Sequence, residues 1–255
     1  MRSCGWGFRA VLMIAGSFVA AGVITACSGD KSNQAGVVSY ESAPCPQPNL
    51  PGFPEADLGP NYSCGYLTVP ENRSKPDGPT IRIAVARARA VAAAPEPDPI
   101  VYLAGGPGGS GLVSAIRAVA DGMNADRDVI FVDQRGAYHS NPRLACPEID
   151  AFIMEAMRLP FSDPATADLS DAATERCRDR LADQGIDLAA YNSIENAADI
   201  ADLRVALGIK EWNIYGVSYG TNLALRPLRD HPDGICSVVL DSVAPPNLNL
   251  ISEWW

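Results

Sequence analysis

Positive charge is scarce in this sequence of 255 residues. Lysine and arginine together number 20 against 30 aspartate and glutamate residues, so the formal net charge at pH 7 is −10. A protein that binds nucleic acid needs a basic face to meet the phosphate backbone. The composition therefore argues against a nucleic-acid partner, while the negative charge favours solubility and does not indicate a substrate.

The sequence also lacks the common patterns that hold metals. Its seven cysteines contain no C-x-x-C pair and its two histidines form no cluster, so we do not expect a zinc site. The glycine-rich stretch at residues 104–111 does not end in the Gly-Lys-Ser/Thr of a Walker loop, and we do not interpret it as a dinucleotide-binding loop. The expected chemistry requires neither a metal nor a cofactor.

A G-x-S-x-G motif occupies residues 216–220, directly after a strand-like run at 212–215. The motif is typical of a nucleophile elbow, in which a strand turns at once into a helix and the serine is held at the tip. Glycine is needed on both sides because larger side chains would collide there. Residues 221–229 are expected to form the helix and 237–241 the next strand. Ser218 is therefore the candidate nucleophile, with a structural turn as the alternative.

The glycine-rich stretch follows a short apolar run at residues 100–103, as expected of a buried parallel strand. In a serine hydrolase this position supplies a backbone N–H group to the oxyanion hole, and the residue after the nucleophile supplies the other. We therefore predict an oxyanion hole made by Gly105, Gly106 and Tyr219. A flexible surface loop is the alternative interpretation.

A third buried strand is predicted at residues 128–132, and it ends in the polar turn 133–136. Asp133 and Arg135 are expected to pair within this turn and to fix the loop beside the site. A role in shaping the turn, without contact to substrate, is the favoured interpretation of both.

These motifs together resemble the α/β-hydrolase fold, and more narrowly the secreted tripeptidyl aminopeptidase and proline iminopeptidase-like group. The resemblance rests on the segments 105–109, 133–136, 216–220 and 237–246, and it covers roughly residues 60–248. It implies a mostly parallel sheet with helices on both faces. It also implies hydrolysis of peptides from the free N-terminus through an acyl-enzyme on Ser218. Some members of the group act as esterases, so an ester substrate and a carboxylesterase remain open.

The other two members of a catalytic triad are not evident. In this fold the chain order is serine, then acid, then histidine. Only His231 follows the serine, at the predicted far end of the helix, whereas His139 precedes it, and surface positions are the default for both. Asp241 closes a strand where some hydrolases place the acid. We expect the triad histidine and acid, the last strands and the cap in a C-terminal part that this sequence lacks. A catalytically silent pseudo-hydrolase is the alternative, which a helix-breaking Pro227 supports.

The N-terminus predicts export. Arg2 and Arg9 are followed by an uncharged apolar stretch that ends before Cys27, in a sequence that resembles a bacterial lipobox. We predict a signal peptide at residues 1–26, lipidation of Cys27, and anchoring to a membrane of the cell envelope outside the cytoplasm. A plain signal peptide and an uncleaved anchor helix are the alternatives. Residues 27–60 are predicted to be a flexible, proline-rich tether, and residues 61–255 an incomplete α/β-hydrolase domain.

Five cysteines remain after the lipidation site. The family resemblance implies the bridges Cys45–Cys64 and Cys146–Cys177, a pairing that the sequence alone does not fix. Cys236 is then left over, and a partner in the missing part is one explanation. The resemblance does not indicate an oligomeric state.

The coarse layout places the first two strands at residues 66–69 and 80–91. Alternation over residues 81–86 predicts a half-exposed antiparallel edge for the second of them. Residues 148–207 are expected to be helical, forming either packing helices or a small lid. The candidate helix caps are Ser170, Asp171 and Asn196.

Overall fold

One twisted sheet organises the protein in this computed structural model, which describes residues 38–46, 58–160 and 164–245. The predicted signal peptide, Cys27 and residues 246–255 lie outside the described residues. The strands of the described residues are β1 (Ser39–Ala43), β2 (Tyr62–Pro70), β3 (Thr80–Ala88), β4 (Ile100–Leu103), β5 (Val129–Asp133), β6 (Trp212–Val217) and β7 (Ile235–Asp241).

The strands pair in the order β1-β2-β3-β5-β4-β6-β7. β4 is parallel to both β5 and β6, and β6 is parallel to β7, whereas β1, β2 and β3 extend the sheet in antiparallel fashion. Parallel neighbours need crossover connections, which helices supply. The carboxyl ends of β4, β5 and β6 therefore meet at one edge of the sheet, where ligands bind in open α/β sheets.

Helices cover both faces of this sheet, as the sequence predicted. The helices of the described residues are α1 (Gly111–Ala120), α2 (Pro147–Ala156), α3 (Pro164–Asp183), α4 (Ser193–Ala206) and α5 (Tyr219–Asp230), with a short 3₁₀ turn at Leu188–Ala190. α4 and α5 pack on one face, around Leu203, Trp212 and Leu223. α1 packs on the other face, around Leu112 and Phe131. Each fully buried side chain of this size contributes roughly 1.5–3 kcal/mol to folding.

Part of the predicted tether is a strand. β1 pairs with β2 in register from Ser39 opposite Thr68 to Ala43 opposite Cys64. The tether prediction was therefore wrong for residues 39–43. The reason is that Tyr40 packs on the apolar core and a disulfide follows the strand, two constraints that the polar composition concealed.

β3 is not the edge strand that its alternating pattern predicted. It lies between β2 and β5, and Ala84 and Ala86 are as buried as Ile83 and Val85. The alanines of β3 lie on the face that α1 covers. The alternation of large and small side chains along β3 therefore reflects their size and not their exposure to solvent.

The helix caps also differ from the prediction. Asn192, and not Asn196, caps α4, because its side-chain oxygen accepts hydrogen bonds from the backbone N–H groups of Ile194 and Glu195. Ser170 lies within α3 rather than at its start. Pro227 lies inside α5, which continues to Asp230.

Both bridges that the resemblance implied are formed. Cys45 is joined to Cys64 on β2, and Cys146, at the start of α2, is joined to Cys177 on α3. Cys236 lies half-buried on β7. In the parts of the chain that the structure describes, no helix is long and apolar enough to cross a membrane.

Candidate active site

Ser218 lies in the turn between β6 and α5. Its backbone has φ 53° and ψ −121°, a combination that residues with side chains adopt only under constraint. A Cβ on Gly216 would collide with the carbonyl oxygen of Gly220, and one on Gly220 would collide with that of Leu103. The two glycines of the motif are therefore required by the close approach of the helix to the sheet.

Thr221 fixes this turn to the end of β7. Its hydroxyl donates to the carbonyl oxygen of Ser218 at 2.6 Å and accepts from the backbone N–H of Ala244 at 2.8 Å. The backbone N–H of Ser218 donates to the carbonyl oxygen of Asp241 at 2.8 Å. The serine is thus held from both sides by backbone contacts, while its own hydroxyl makes no hydrogen bond within the described residues.

The glycine-rich loop after β4 packs directly against the serine. A Cβ added to Gly105 would lie 2.9 Å from the Cβ of Ser218 and 2.9 Å from the carbonyl oxygen of Val217. The loop is closed by a 3.0 Å hydrogen bond from the N–H of Gly109 to the carbonyl oxygen of Gly105. Tyr219 occupies the first position of α5, where a backbone N–H has no partner within the helix.

Two buried side-chain amides connect the glycine-rich loop to the rest of the fold. Nε2 of Gln134 donates to the carbonyl oxygen of Ala104 at 3.0 Å, and Nδ2 of Asn196 donates to Oε1 of Gln134 at 3.2 Å. Both amides are buried. Because Ala104 immediately precedes the glycines, this chain of bonds ties the loop to β5 and α4.

Asp133 and Arg135 do not pair, contrary to the prediction. Asp133 is fully buried and its Oδ1 accepts from the hydroxyl of Ser110 at 2.6 Å and from the N–H of Leu112 at 3.1 Å. Its Oδ2 lies 2.7 Å from Nδ1 of His139. Residues 106–111 do match G-x-G-x-x-G with Asp133 downstream, but a carboxylate so fully bonded inside the fold cannot hold a ribose.

Arg135 points the other way, into a buried ionic cluster. Its Nε and Nη2 each lie 2.8 Å from one oxygen of Asp199, and both side chains are almost fully buried. Its Nη1 donates to two backbone carbonyl oxygens, those of Glu71 and Ala190. Arg73 reaches the same Asp199 at 2.8 Å. Together these bonds join the β2–β3 loop and α4 to the turn after β5.

Neither histidine takes the position of a base. His139 was expected at the surface, but its side chain is only 12% exposed because Asp133 and the ring of Tyr138 enclose it. His231 caps the C-terminal end of α5, one helix length from Ser218. Within the described residues, no histidine bonds to the serine hydroxyl.

Asp241 binds a tyrosine rather than a histidine. Its Oδ2 accepts a 2.7 Å hydrogen bond from the hydroxyl of Tyr215, and its Oδ1 accepts from Ser242. This bond, aided by partial burial, raises the pKa of Tyr215 to about 12. Tyr215 also stacks on Tyr102, with 5.9 Å between ring centroids.

An open cleft of about 400 Å³ borders Tyr219, one of the three predicted oxyanion donors. Its lining also includes Pro107 and Gly108 of the glycine loop, and Tyr138 and Arg143 of the segment after β5. The cleft therefore lies between the glycine loop, the first residue of α5 and the segment after β5.

The described residues contain one group of three potential metal ligands, Cys146, Glu148 and Cys177. Its two sulfur atoms are bonded to each other, and Glu148 is held by Arg180 at 2.6 Å. A bridged pair of cysteines offers no thiolate, so these residues do not fit a metal.

Sequence reasoning missed the residues that support the site. These residues form hydrogen bonds to partners far away in the sequence, and no local sequence pattern predicts such contacts. They are Gln134, Asn196, Thr221 and Asp199. One indication was present: Asp199 lies in the interior of a predicted helix, where a polar side chain usually needs a partner.

Comparisons with known proteins agree with this arrangement. The sequence profile of the family described as alpha/beta hydrolase fold matches residues 98–255. The chain is 34% identical over 200 residues to a tripeptidyl aminopeptidase of Streptomyces coelicolor, covering 74% of this chain and 36% of that protein. It is 26% identical over 219 residues to the serine protease Hip1 of Mycobacterium tuberculosis, covering 83% and 41%. It is also 32% identical over 146 residues to a probable proline iminopeptidase of Streptomyces coelicolor, covering 57% and 33%. The chain spans between a third and about two fifths of the length of these relatives.

Proposed function

The chain belongs to the α/β-hydrolase fold family, and on that premise we propose that it carries the nucleophile and the oxyanion hole of a serine peptidase acting at the free N-terminus of peptides. The observation that carries the proposal is the strained backbone of Ser218 in contact with the Gly105 loop. The names of the similar proteins, tripeptidyl aminopeptidase and proline iminopeptidase, support the substrate class.

In the proposed reaction the Ser218 hydroxyl oxygen attacks the peptide carbonyl carbon while a general base removes its proton. The N–H groups of Tyr219 and of the loop at Gly105 and Gly106 stabilise the negative oxygen of the tetrahedral intermediate. The intermediate expels the amine, which takes up the proton, and water then hydrolyses the acyl-serine ester. Both histidines of the sequence lie within the described residues and neither bonds to the serine hydroxyl. The proposal therefore assigns the histidine and the acid of the triad to a longer form of the protein.

Reaction with a fluorophosphonate tests the nucleophile. The phosphorus forms a bond to the serine oxygen and fluoride leaves, so each labelled chain gains one adduct by intact mass spectrometry. We expect labelling of the full-length form of the protein, none of its Ser218→Ala variant, and normal labelling of its Ser242→Ala variant. Ser242 is a matched control because it also has a positive φ, 58°, at the same edge of the sheet. Equal labelling of Ser218→Ala would contradict the proposal.

One observation favours a second candidate, a silent hydrolase that binds without turnover. The Ser218 hydroxyl has no hydrogen-bonded base within the described residues. Multiple turnovers of an alanyl-alanyl-prolyl nitroanilide would exclude that candidate. Faster hydrolysis of a nitrophenyl ester than of the anilide, beyond the intrinsic difference between the two leaving groups, would instead favour a carboxylesterase.

The proposal extends to the location of the protein, a lipoprotein anchored through Cys27 outside the cytoplasm. It is supported by the sequence that precedes Cys27, which lies outside the described residues. Metabolic labelling with a radioactive fatty acid should mark the unaltered chain and not Cys27→Ser. The Cys236→Ser variant should label normally. Equal labelling of Cys27→Ser would contradict the anchor.

A further inference from the structure

The cleft beside the oxyanion loop has an unusual charge for this protein. The chain carries an excess of ten negative charges, yet none of the residues that line the cleft is a carboxylate. Two of them, Arg135 and Arg143, are arginines, and three more, Gln134, Asn192 and Asn196, carry amide groups. The site next to the proposed nucleophile therefore presents hydrogen-bond donors without a lining acid.

The two arginines differ in what holds them. Every nitrogen of Arg135 is bonded: to both oxygens of Asp199 and to two backbone carbonyl oxygens. Its charge is compensated inside the fold, and its donors are not available to a ligand. The acids of this cluster lie behind Arg135 and do not line the cleft.

Arg143 has no such compensation. Within the described residues no carboxylate lies within ion-pair distance of it, and its one close charged or aromatic contact is the ring of Tyr138, 5.5 Å from the guanidinium carbon. Its side chain is exposed, while its backbone is fixed by the bridge to Gly136 and by the hydrogen bond from the N–H of Leu144 to the same glycine. A guanidinium on a fixed backbone, near an aromatic ring and without a carboxylate partner, leaves its donors available for a bidentate contact.

The geometry points to a carboxylate-binding subsite in this cleft, with Arg143 as the residue that determines specificity. This inference rests on the proposed function, because the subsite has its role only if Ser218 attacks a carbonyl beside it. The carboxylate has two possible sources in a peptide, an acidic side chain or the free C-terminal carboxylate of a short substrate. Either places a negative charge beside Arg143, in a cleft whose lining contains no acid.

Binding to a chain that lacks the nucleophile isolates the subsite from catalysis. The Ser218→Ala variant of the full chain is titrated by calorimetry with the tripeptide amides Ala-Ala-Glu, Ala-Ala-Gln and Ala-Ala-Lys, and with Ala-Ala-Gln bearing a free carboxylate. We expect the glutamate amide or the free acid to bind roughly tenfold more tightly than the glutamine amide, as for a charge-assisted hydrogen bond. Tighter binding of the glutamate amide would identify an acidic side chain as the bound carboxylate. Tighter binding of the free acid would identify the C-terminal carboxylate.

Variants then assign the preference to one residue. Adding Arg143→Gln should abolish the preference, and Arg143→Lys should retain part of it because the charge remains. Arg117→Gln is the matched control, since Arg117 is an exposed arginine of α1 that pairs with Asp121 and does not line this cleft. It should leave the preference unchanged.

Several results would overturn the subsite: equal binding of the acidic and neutral peptides, preference for the lysine peptide, a preference that survives Arg143→Gln, or no binding of any peptide. The fluorophosphonate experiment separates the two proposals. Labelling of Ser218 without a carboxylate preference would reject the subsite alone. A carboxylate preference without labelling would retain the binding site and reject the nucleophile.

Discussion

The Gly105→Ala variant perturbs the proposed oxyanion loop and leaves the proposed nucleophile, Ser218, in place. The added methyl group would lie 2.9 Å from both the Cβ of Ser218 and the carbonyl oxygen of Val217, where ordinary contacts begin at 3.4 Å. One of the two segments must therefore shift by about 0.5 Å. We expect the glycine loop to shift, because Thr221 and Asp241 hold the backbone of the serine turn through three hydrogen bonds.

A shift of this size lies within the range that impairs catalytic geometry. Loss of one oxyanion donor costs about 10²–10³-fold in rate, and a displacement of 1 Å about 10²-fold. We therefore expect the second-order rate of fluorophosphonate labelling of Gly105→Ala to fall by roughly 10²-fold. The rate is measured by intact mass spectrometry over a series of reagent concentrations.

Gly108→Ala is the matched control in the same loop. Its added Cβ meets nothing within 4 Å, but its φ of +88° imposes backbone strain of about 1–2 kcal/mol. This variant should lose thermal stability and still label within about threefold of the unaltered chain. If Gly105→Ala labels as fast as Gly108→Ala, the loop does not supply the oxyanion donor and the reasoning is refuted.

Three further predictions concern the supports of the site. Asp199→Ala leaves the buried charge of Arg135 unpaired and should lower the free energy of unfolding in urea by about 3–5 kcal/mol; a loss below 1 kcal/mol would contradict the buried cluster. Thr221→Val removes a hydroxyl that both donates and accepts, and should cost about 1–3 kcal/mol in the same assay with slower labelling; unchanged values would refute its role. Asp241→Asn should move the pKa of Tyr215 from about 12 back toward its ordinary value of 10 in an ultraviolet titration of tyrosinate, with Tyr215→Phe as reference. Because the pKa of Tyr215 is raised in the folded chain, the bond between Tyr215 and Asp241 stabilises the fold below pH 10, and this contribution is lost between pH 10 and 12. The difference in unfolding free energy between the unaltered chain and Asp241→Asn should therefore shrink over that range.

Local motifs gave reliable predictions from the sequence. The elbow at Ser218 and the strand Ile100–Leu103 were predicted because tight turns and buried strands impose strict local rules on glycine and on apolar runs. The same holds for the fold class, since apolar strands that alternate with helical segments imply a parallel sheet.

Interactions over long sequence separations were not predicted. A pairing of Asp133 with Arg135 was predicted within one turn, but the backbone directs their side chains to opposite sides, toward Ser110 and Asp199. The strand Ser39–Ala43 was hidden in a polar, proline-rich segment because its pairing depends on a partner more than twenty residues away. Such contacts are decided by the assembled sheet and not by local composition.

The most direct test of the account is tandem mass spectrometry of the chain after reaction with a fluorophosphonate. We expect a single adduct on Ser218, formed by the folded chain and lost when the chain is unfolded in urea before reaction, because the reactivity depends on the turn and the oxyanion loop. An adduct on another serine, equal labelling of the unfolded chain, or no adduct at excess reagent would contradict the assignment of Ser218 as the nucleophile.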